Sequence, residues 1–154
     1  AVPVPSIYCA LIWGGKLYIF MERVLGIQLA DAWTRASTDE KEYLVAQLRE
    51  LYQTLHSRKS PYGDRVCAVN GGPLRDARLN RFGLCGPFQH VGAFESYMWY
   101  STARDGLAKE DMVLTHGDPS MFNVLIHLPS FKVAALVDFT GSGYYPPYWE
   151  MVRA

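Results

Sequence analysis

The chain has 154 residues, of which 49% are hydrophobic, so it is long and apolar enough to form one globular domain with a buried core. Its 15 basic and 15 acidic residues cancel to a formal net charge of zero. This balance argues against a nucleic-acid partner, because affinity for a phosphate backbone depends on clustered lysine and arginine. No cationic segment followed by an apolar core opens the chain, and no run is long enough to cross a membrane, so we expect neither a signal peptide nor a membrane partner.

The cysteines are widely spaced, at Cys9, Cys67 and Cys85, and no Cys-x-x-Cys pair occurs. Free thiols in a reducing compartment are the simplest explanation, because disulfides form and persist in oxidising environments. The sequence therefore predicts a cytoplasmic protein.

Two strand-like runs begin the chain, at residues 6–13 and 16–20, and Gly14-Gly15 lies between them. Glycine allows a positive φ at both positions of a two-residue loop, so this pattern predicts a β-hairpin. Residues 26–33, which follow, can form a short helix.

A longer helix is predicted over residues 38–57. Ser37-x-x-Glu40 is a capping box, and leucines recur at helical spacing at positions 44, 48, 51 and 55. Ser60-Pro61 prevents continuation. His56, in the last turn, is expected to interact with the helix dipole.

The segment from residue 58 to 91 contains many glycines and little periodicity, and is predicted to be a long irregular connection. Gly71-Gly72 is expected to be a turn, because no strand precedes it and no helix follows. His90 has no assigned role. A third helix is predicted from Phe94 to about Ala103.

The most informative stretch is His116-Gly117-Asp118, followed by Asn123. In a kinase-type catalytic loop an aspartate accepts the proton of the substrate hydroxyl, an asparagine a few residues later binds Mg²⁺, and a second aspartate holds the metal. The apolar runs 124–126 and 133–137 predict a hairpin that returns Asp138 to the neighbourhood of Asn123. Oxygen ligands at adjacent strand ends suit Mg²⁺.

Three ordered motifs carry a resemblance to a known family. They are His116-Gly117-Asp118-x-x-x-x-Asn123, Val137-Asp138-Phe139, and Gly143-Tyr-Tyr-Pro-Pro-Tyr-Trp149-Glu150. Together they resemble the aminoglycoside phosphotransferase/choline kinase-like family, and most of all its fungal branch.

The resemblance implies an α+β protein-kinase-like fold, with a remnant hairpin and hinge of the N-terminal lobe at residues 1–24. Residues 25–154 would form a mainly helical C-terminal lobe. It also implies an enzyme that uses ATP and Mg²⁺ to move the γ-phosphate to a hydroxyl of a small molecule. The partners would be a nucleotide and that small-molecule substrate.

The resemblance assigns the catalytic loop. Asp118 would be the base or would orient the acceptor hydroxyl, although a lone aspartate at this position is more typical of a turn. His116 would support the site by hydrogen bonding to the backbone near Asp138. Asn123 and Asp138 would bind the metal and, through it, the nucleotide.

The resemblance also assigns a hinge. Met21 would lie behind the adenine pocket, and Glu22 and Val24 would supply backbone groups to the nucleotide. The alternative is that Met21 and Val24 are ordinary core residues.

The sequence departs from the family pattern in several places. Thr140 stands where kinases have glycine, and Pro119-Ser-Met-Phe replaces the usual loop residues. No glycine-rich phosphate loop or strand lysine precedes Ala1, and Lys16 is too close to Met21 to substitute for that lysine. We therefore expect a fragment or shortened form that transfers no phosphate by itself.

Two other functions stay open at this point. The chain could be a non-catalytic kinase-like module with a binding or structural role. It could also be a metal hydrolase built on His116, Asp118 and Asp138, but the hinge-like segment and the Pro-x-Tyr-Trp-Glu segment would then be coincidences.

Overall fold

A computed structural model describes residues 1–75, 83–99 and 111–153. The chain forms two compact units. The first comprises Ala1–Leu51 and Ser120–Val137, and the second comprises Tyr52–Pro119 and Asp138–Ala154. Over the described ranges, no helix is long and apolar enough to cross a membrane.

The described residues form ten strands, four α-helices and one 3-10 helix. In chain order these are β1 (Ile7–Trp13), β2 (Lys16–Met21), β3 (Ile27–Gln28), α1 (Leu29–Arg35), α2 (Thr38–His56), β4 (Cys67–Ala68), β5 (Leu74–Arg75), β6 (Leu84–Cys85), α3 (Val91–Trp99), β7 (Val113–Thr115), β8 (Val124–His127), β9 (Lys132–Leu136), the 3-10 helix (Phe139–Gly141), β10 (Gly143–Tyr145) and α4 (Trp149–Arg153).

The first unit begins with the predicted hairpin, in which β1 and β2 pair antiparallel with Trp13 opposite Lys16. Gly14 and Gly15 have φ of 56° and 74°, as a two-residue loop requires. Every residue of both strands is exposed.

The same unit contains a three-stranded antiparallel sheet in the order β3-β8-β9, which confirms the predicted hairpin of β8 and β9. The helix predicted from residue 26 is wrong at its start, because Ile27 pairs with Ile126 and α1 begins at Leu29. A Cβ atom on Gly26 would lie 2.9 Å from the carbonyl oxygen of Ile126, so the chain runs directly against β8 just before β3 begins.

Helix α2 confirms the prediction for residues 38–57 and ends one residue earlier, at His56. The capping box is formed: the Ser37 N–H donates to Glu40 Oε2 at 2.8 Å, and the Glu40 N–H donates to Ser37 Oγ at 3.4 Å. A cap of this kind stabilises a helix by about 1 kcal/mol. Leu44 and Leu55 are 0% and 6% exposed, as the predicted apolar stripe requires.

Gln47 ties α2 to the turn between β8 and β9. Its Nε2 donates to the carbonyl oxygen of Phe131 at 2.9 Å, and its Oε1 accepts from the N–H of Val133 at 3.0 Å. Both polar atoms of one amide are therefore satisfied by backbone groups, one in the turn and one in β9.

The second unit contains a three-stranded antiparallel sheet in the order β4-β10-β7, and β5 pairs with β6. The prediction of a wholly irregular connection over residues 58–91 is therefore wrong, because β4, β5 and β6 lie within it. Strands of two residues are too short to show an alternating pattern. The predicted turn at Gly71 is confirmed, since its N–H donates to the carbonyl oxygen of Ala68 at 2.8 Å.

The core of the second unit is aromatic. Trp149 stacks on Tyr145 with ring centroids 5.5 Å apart, and the ring of Phe94 meets Trp149 edge-on at 4.9 Å. Around these rings pack the other buried residues of the cluster, Val66, Leu74, Cys85 and Met112.

Helix α3 begins at Val91 rather than at Phe94, so its predicted start is wrong. The reason is His90, whose Nδ1 accepts the N–H of Ala93 at 3.2 Å and so caps the helix. The predicted end of this helix, at residues 100–103, lies outside the described residues.

Candidate active site

The predicted site residues fall in both units. Asn123 belongs to the first and directly precedes β8. Its N–H donates to the carbonyl oxygen of Ser120 at 2.9 Å, and its own carbonyl accepts the N–H of Val137, also at 2.9 Å. This pairing fixes the backbone of Asn123 beside the end of the segment that leads to Asp138.

His116 and Asp118 belong to the second unit and follow β7. The backbone N–H of Asp118 donates to Nδ1 of His116 at 3.3 Å. As an acceptor, Nδ1 carries no proton, so the neutral imidazole carries its proton on Nε2. His116 is 1% exposed and Asp118 is half-buried. The buried ring therefore contacts the backbone of a residue whose side chain is more accessible.

The segment that begins at Asp138 contacts the same histidine. The rings of His116 and Phe139 lie 4.4 Å apart between centroids, and Ser142 Oγ donates to the carbonyl oxygen of His116 at 3.0 Å. Within the second unit, therefore, His116 connects the loop of Asp118 with the segment of Asp138.

Asp138 has a left-handed backbone, with φ 63° and ψ 66°, and an exposed side chain. Its Oδ1 accepts from the N–H of Thr140 at 3.3 Å and from Thr140 Oγ1 at 2.6 Å. Among the residues that the structure describes, Oδ2 has no hydrogen-bond partner. One carboxylate oxygen is thus held in place, and the other can meet a ligand.

Two residues of α4 also bind the loop that carries Asp118, and the sequence did not reveal these contacts. Glu150 Oε2 accepts the N–H of His116 at 2.9 Å, and Oε1 accepts the N–H of Gly117 at 3.2 Å. Arg153 Nε donates to the carbonyl oxygen of Gly117 at 2.9 Å. The sequence did contain one indication of these contacts. Glu150 lies in a segment rich in aromatic residues, which favours burial, and a buried carboxylate requires a specific partner.

Helix α2 brings two more polar side chains to Glu150. His56, in the last turn as predicted, places Nε2 3.5 Å from Glu150 Oε2. The pKa of Tyr52 is raised, first by burial and then by the negative charges of Glu150 and Asp118. The phenol is therefore protonated at neutral pH and acts only as a neutral polar group beside the loop.

The hinge-like residues lie at the end of β2. The N–H of Glu22 donates to the carbonyl oxygen of Ser6 at 2.8 Å, and the N–H of Ser6 donates to Glu22 Oε2 at 3.0 Å. The N–H of Ser6 therefore bonds to the carboxylate of Glu22 and not to its backbone carbonyl. Met21 is exposed and Val24 is half-buried, so neither is an ordinary core residue in the structure described.

The metal hydrolase alternative has no geometric support. Over residues 1–75, 83–99 and 111–153, no three side chains of His, Cys, Asp or Glu group together so that they could hold a metal ion. The set of His116, Asp118 and Asp138 is therefore not a three-ligand metal centre.

The fold and the loop define a protein of the α+β, protein-kinase-like class. The sequence profile of the phosphotransferase enzyme family matches residues 1–154, and the chain belongs to that family. This confirms the family resemblance carried by the three motifs.

Solved structures agree with the fold. The crystal structure of an aminoglycoside-3'-phosphotransferase of type VIII superposes with a TM-score of 0.61 at 16% sequence identity, over 99% of this chain and 57% of that one. The chain thus spans little more than half the length of that relative. In all, 24 chains of solved structures match, whereas a search of curated protein sequences finds no match.

Proposed function

We propose that the chain is part of an ATP- and Mg²⁺-dependent phosphotransferase that moves the γ-phosphate to a hydroxyl group of a small molecule. Membership of the phosphotransferase enzyme family supports the reaction class. The single observation that carries the proposal is the position of His116, whose Nδ1 accepts from Asp118 at 3.3 Å while its ring packs 4.4 Å from that of Phe139. The buried side chain of His116 thus contacts both segments that carry a proposed site carboxylate, the loop of Asp118 and the segment of Asp138.

Asp118 is the proposed catalytic residue. Its carboxylate would accept a hydrogen bond from the acceptor hydroxyl and orient it in line with the transferred phosphoryl group. The transition state of phosphoryl transfer is loose, so orientation precedes much proton abstraction. The carboxylate would receive the proton as the new P–O bond forms.

Asn123 and Asp138 are the proposed magnesium ligands. The donor set fits, because amide and carboxylate oxygens are hard ligands and Mg²⁺ takes the rest of its shell from water and phosphates. The accessible Oδ2 of Asp138 would bind the ion while Thr140 holds Oδ1. When bound, the metal would neutralise charge on the phosphates.

Met21, Glu22 and Val24 are the proposed nucleotide-binding residues of the hinge. The backbone of Glu22 would bind through its carbonyl, since its N–H is already paired with Ser6. An adenine amino group can donate to that carbonyl, and the N–H of Val24 can donate to a ring nitrogen. Met21 would cover the inner edge of the base.

A cytoplasmic location completes the proposal. The three cysteines are free thiols, with Cys9 exposed and Cys67 and Cys85 buried. This usage suits a reducing compartment, where ATP is also available.

The proposal is tested by ATP consumption against a mixed panel of amino-alcohols, sugars and aminoglycosides. Residues 1–154 are assayed beside a form extended upstream through a lysine-bearing strand, where the gene provides one. We expect the extended form to transfer phosphate and Asp118→Asn to lower its rate by about 10²–10⁴-fold. Glu95→Gln, which removes a carboxylate bound to Tyr148 and outside the loop, is the matched control.

Unchanged turnover in Asp118→Asn would refute the catalytic assignment. Nucleotide binding without turnover in either form would instead identify a non-catalytic kinase-like module. Full activity from residues 1–154 would show that the expected phosphate loop and lysine are dispensable.

A further inference from the structure

Strand β1 lies at the edge of its sheet. In the part of the chain that the structure describes, it pairs with β2 and with no other strand. Trp13 and Lys16 are opposite each other beside the two-residue loop, so they exchange their backbone N–H and C=O groups. Bonded and non-bonded pairs alternate along an antiparallel ladder, so Leu11 also bonds towards β2, whereas the N–H and C=O groups of Ala10 and Ile12 point outward. These outward groups can pair with another strand.

The edge of β1 is apolar and uncharged. Residues 6–15 contain no Asp, Glu, Lys or Arg, and Leu11, Ile12 and Trp13 are 44%, 77% and 74% exposed. Proteins commonly protect an exposed edge with charged side chains or proline, and β1 has neither. β2, in contrast, begins with Lys16. The edge of β1 is therefore the one that favours addition of a further strand.

The side chains of β1 suit pairing with a second copy of the same strand. In an antiparallel pair about a twofold axis, the register that joins the outward groups of Ala10 to those of Ile12 places Leu11 opposite Leu11. The same register places Cys9 opposite Trp13. A small side chain then faces a large one on both faces of the sheet, which favours cross-strand packing. Because β1 carries no charge, the axis brings no like charges together.

The expected strength of this pairing follows from its size. The contact would involve residues 9–13 of each copy. An interface of this kind falls below about 1,200 Å² in total, which is the size range of weak and transient complexes. We therefore expect a reversible association with a micromolar Kd.

We propose that two copies of the chain associate through their β1 edges into one antiparallel sheet with the strand order β2-β1-β1-β2. The twofold axis passes at Leu11. Pairing of β1 with β2 of the next copy would not close and would place Lys16 in the interface. The inference goes beyond the phosphotransferase activity proposed above and does not depend on it, because no residue of the proposed site lies on β1.

Cysteine crosslinking tests the register. Leu11→Cys is made in a Cys9→Ser background, which removes the nearby exposed thiol. In the proposed dimer the two Cα atoms at position 11 lie about 4.5 Å apart in a non-hydrogen-bonded pair, a separation that a disulfide can span. Leu17→Cys in the same background is the matched control. Leu17 is 63% exposed, more than Leu11, but it lies on β2, one strand away from the axis.

We expect mild oxidation with diamide at micromolar protein to give the covalent dimer of Leu11→Cys at least about tenfold faster than that of Leu17→Cys. The reason is that a thiol held opposite its counterpart in the dimer reacts at an effective concentration near the millimolar range. Equal rates in the two variants would overturn the inference, because they would show contact without this register.

Sedimentation equilibrium tests the association itself. Ile12→Pro removes an outward N–H that the pairing with β2 does not use, so it blocks the edge of β1 and leaves the hairpin bonds in place. Leu17, the residue opposite Ile12, has the same outward position on β2, so Leu17→Pro is the matched control.

We expect the average mass of the unsubstituted protein to rise from that of a monomer towards that of a dimer between micromolar and submillimolar concentrations. Leu17→Pro should behave in the same way, and Ile12→Pro should remain monomeric. An unsubstituted protein that stays monomeric throughout, or an equal loss of association in both proline variants, would refute pairing through β1.

Discussion

Gly117 and Gly141 meet backbone to backbone, and a Cβ atom on Gly117 would lie 2.6 Å from the carbonyl carbon of Gly141. The segment of Asp138 therefore packs directly on the loop of Asp118, with no side chain between them. Any residue larger than glycine at position 117 would push the two segments apart.

Gly117→Ala should consequently be strongly destabilising. It forces a side chain into a positive-φ conformation, which costs about 1–3 kcal/mol, and it adds overlap with a backbone that cannot move aside easily. Denaturant unfolding gives the free energy. Gly63→Ala is the matched control, since Gly63 has a φ of +64° but no atom within 4 Å of an added Cβ. Equal losses in the two variants would show that the contact with Gly141 does not matter.

Asp138→Asn should weaken the Mg²⁺-dependent part of ATP binding. The substitution keeps an oxygen for Thr140 but removes the charge that attracts the cation, and we expect a loss of at least about tenfold, the size of effect that even outer partners have at metal sites. Calorimetric titration of ATP with and without Mg²⁺ measures it. Glu95→Gln, which removes a negative charge elsewhere in the second unit, is the control. Binding that is indifferent to Mg²⁺ in the unsubstituted protein would contradict the assignment.

The hydrogen bonds that Ser6 donates to the carboxylate of Glu22 should break in acid. The pKa of Glu22 is lowered from its ordinary value of 4.5, first by the hydrogen bond from the Ser6 N–H and then by that from the Ser6 hydroxyl. The stabilisation is therefore complete at pH values above 4.5 and is lost as the pH falls through the lower, folded-state value.

A carboxyl NMR titration of Glu22 should show a midpoint below 4.5. Ser6→Pro removes the N–H donor and should raise that midpoint, and Ser6→Ala, which removes only the hydroxyl, should raise it less. A midpoint that is the same in both variants as in the unsubstituted protein would mean that Ser6 does not cause the lowered pKa of Glu22.

Gln47→Glu should destabilise the first unit although it barely changes the shape of the side chain. The new carboxylate loses the donor to Phe131 and places negative charge against that carbonyl oxygen, at a cost of about 1–3 kcal/mol. Thermal unfolding reports the change. Glu42→Gln makes the reverse exchange at an exposed position of the same helix and should change the free energy of unfolding by less than about 0.5 kcal/mol. If Gln47→Glu changes stability as little as Glu42→Gln, the hydrogen bonds of Gln47 to Phe131 and Val133 do not contribute to stability.

Elements with a local signal were predictable from the sequence. The Gly14-Gly15 hairpin and the capped helix α2 each follow from residues close together in the chain, and the structure contains both. The family and the fold were predictable as well, because the motifs around Asp118, Asp138 and Trp149 are specific in both order and spacing. The assignment of individual catalytic, metal and hinge residues, and the division at residue 24, stay predictions.

Features that depend on distant partners were not predictable. The bonds from Glu150 to His116 and Gly117 join residues that lie 34 and 33 positions apart, and no local pattern reports such a pairing. The N-cap at His90 was missed because histidine is not a usual capping residue. Strand β3 was missed because only its approach to β8 makes residues 27 and 28 extended.

The exposed hairpin has a practical consequence for work with residues 1–154. Ile12 and Trp13 are 77% and 74% exposed, and in the part of the chain that the structure describes β1 and β2 form a sheet of two strands in which every residue is exposed. Surfaces of this kind adhere to one another as concentration rises. Purified preparations should therefore scatter more light on concentration and adsorb to hydrophobic resins. A rate constant measured at a single protein concentration would reflect aggregation as well as turnover. Each assay should therefore be repeated over a range of protein concentrations.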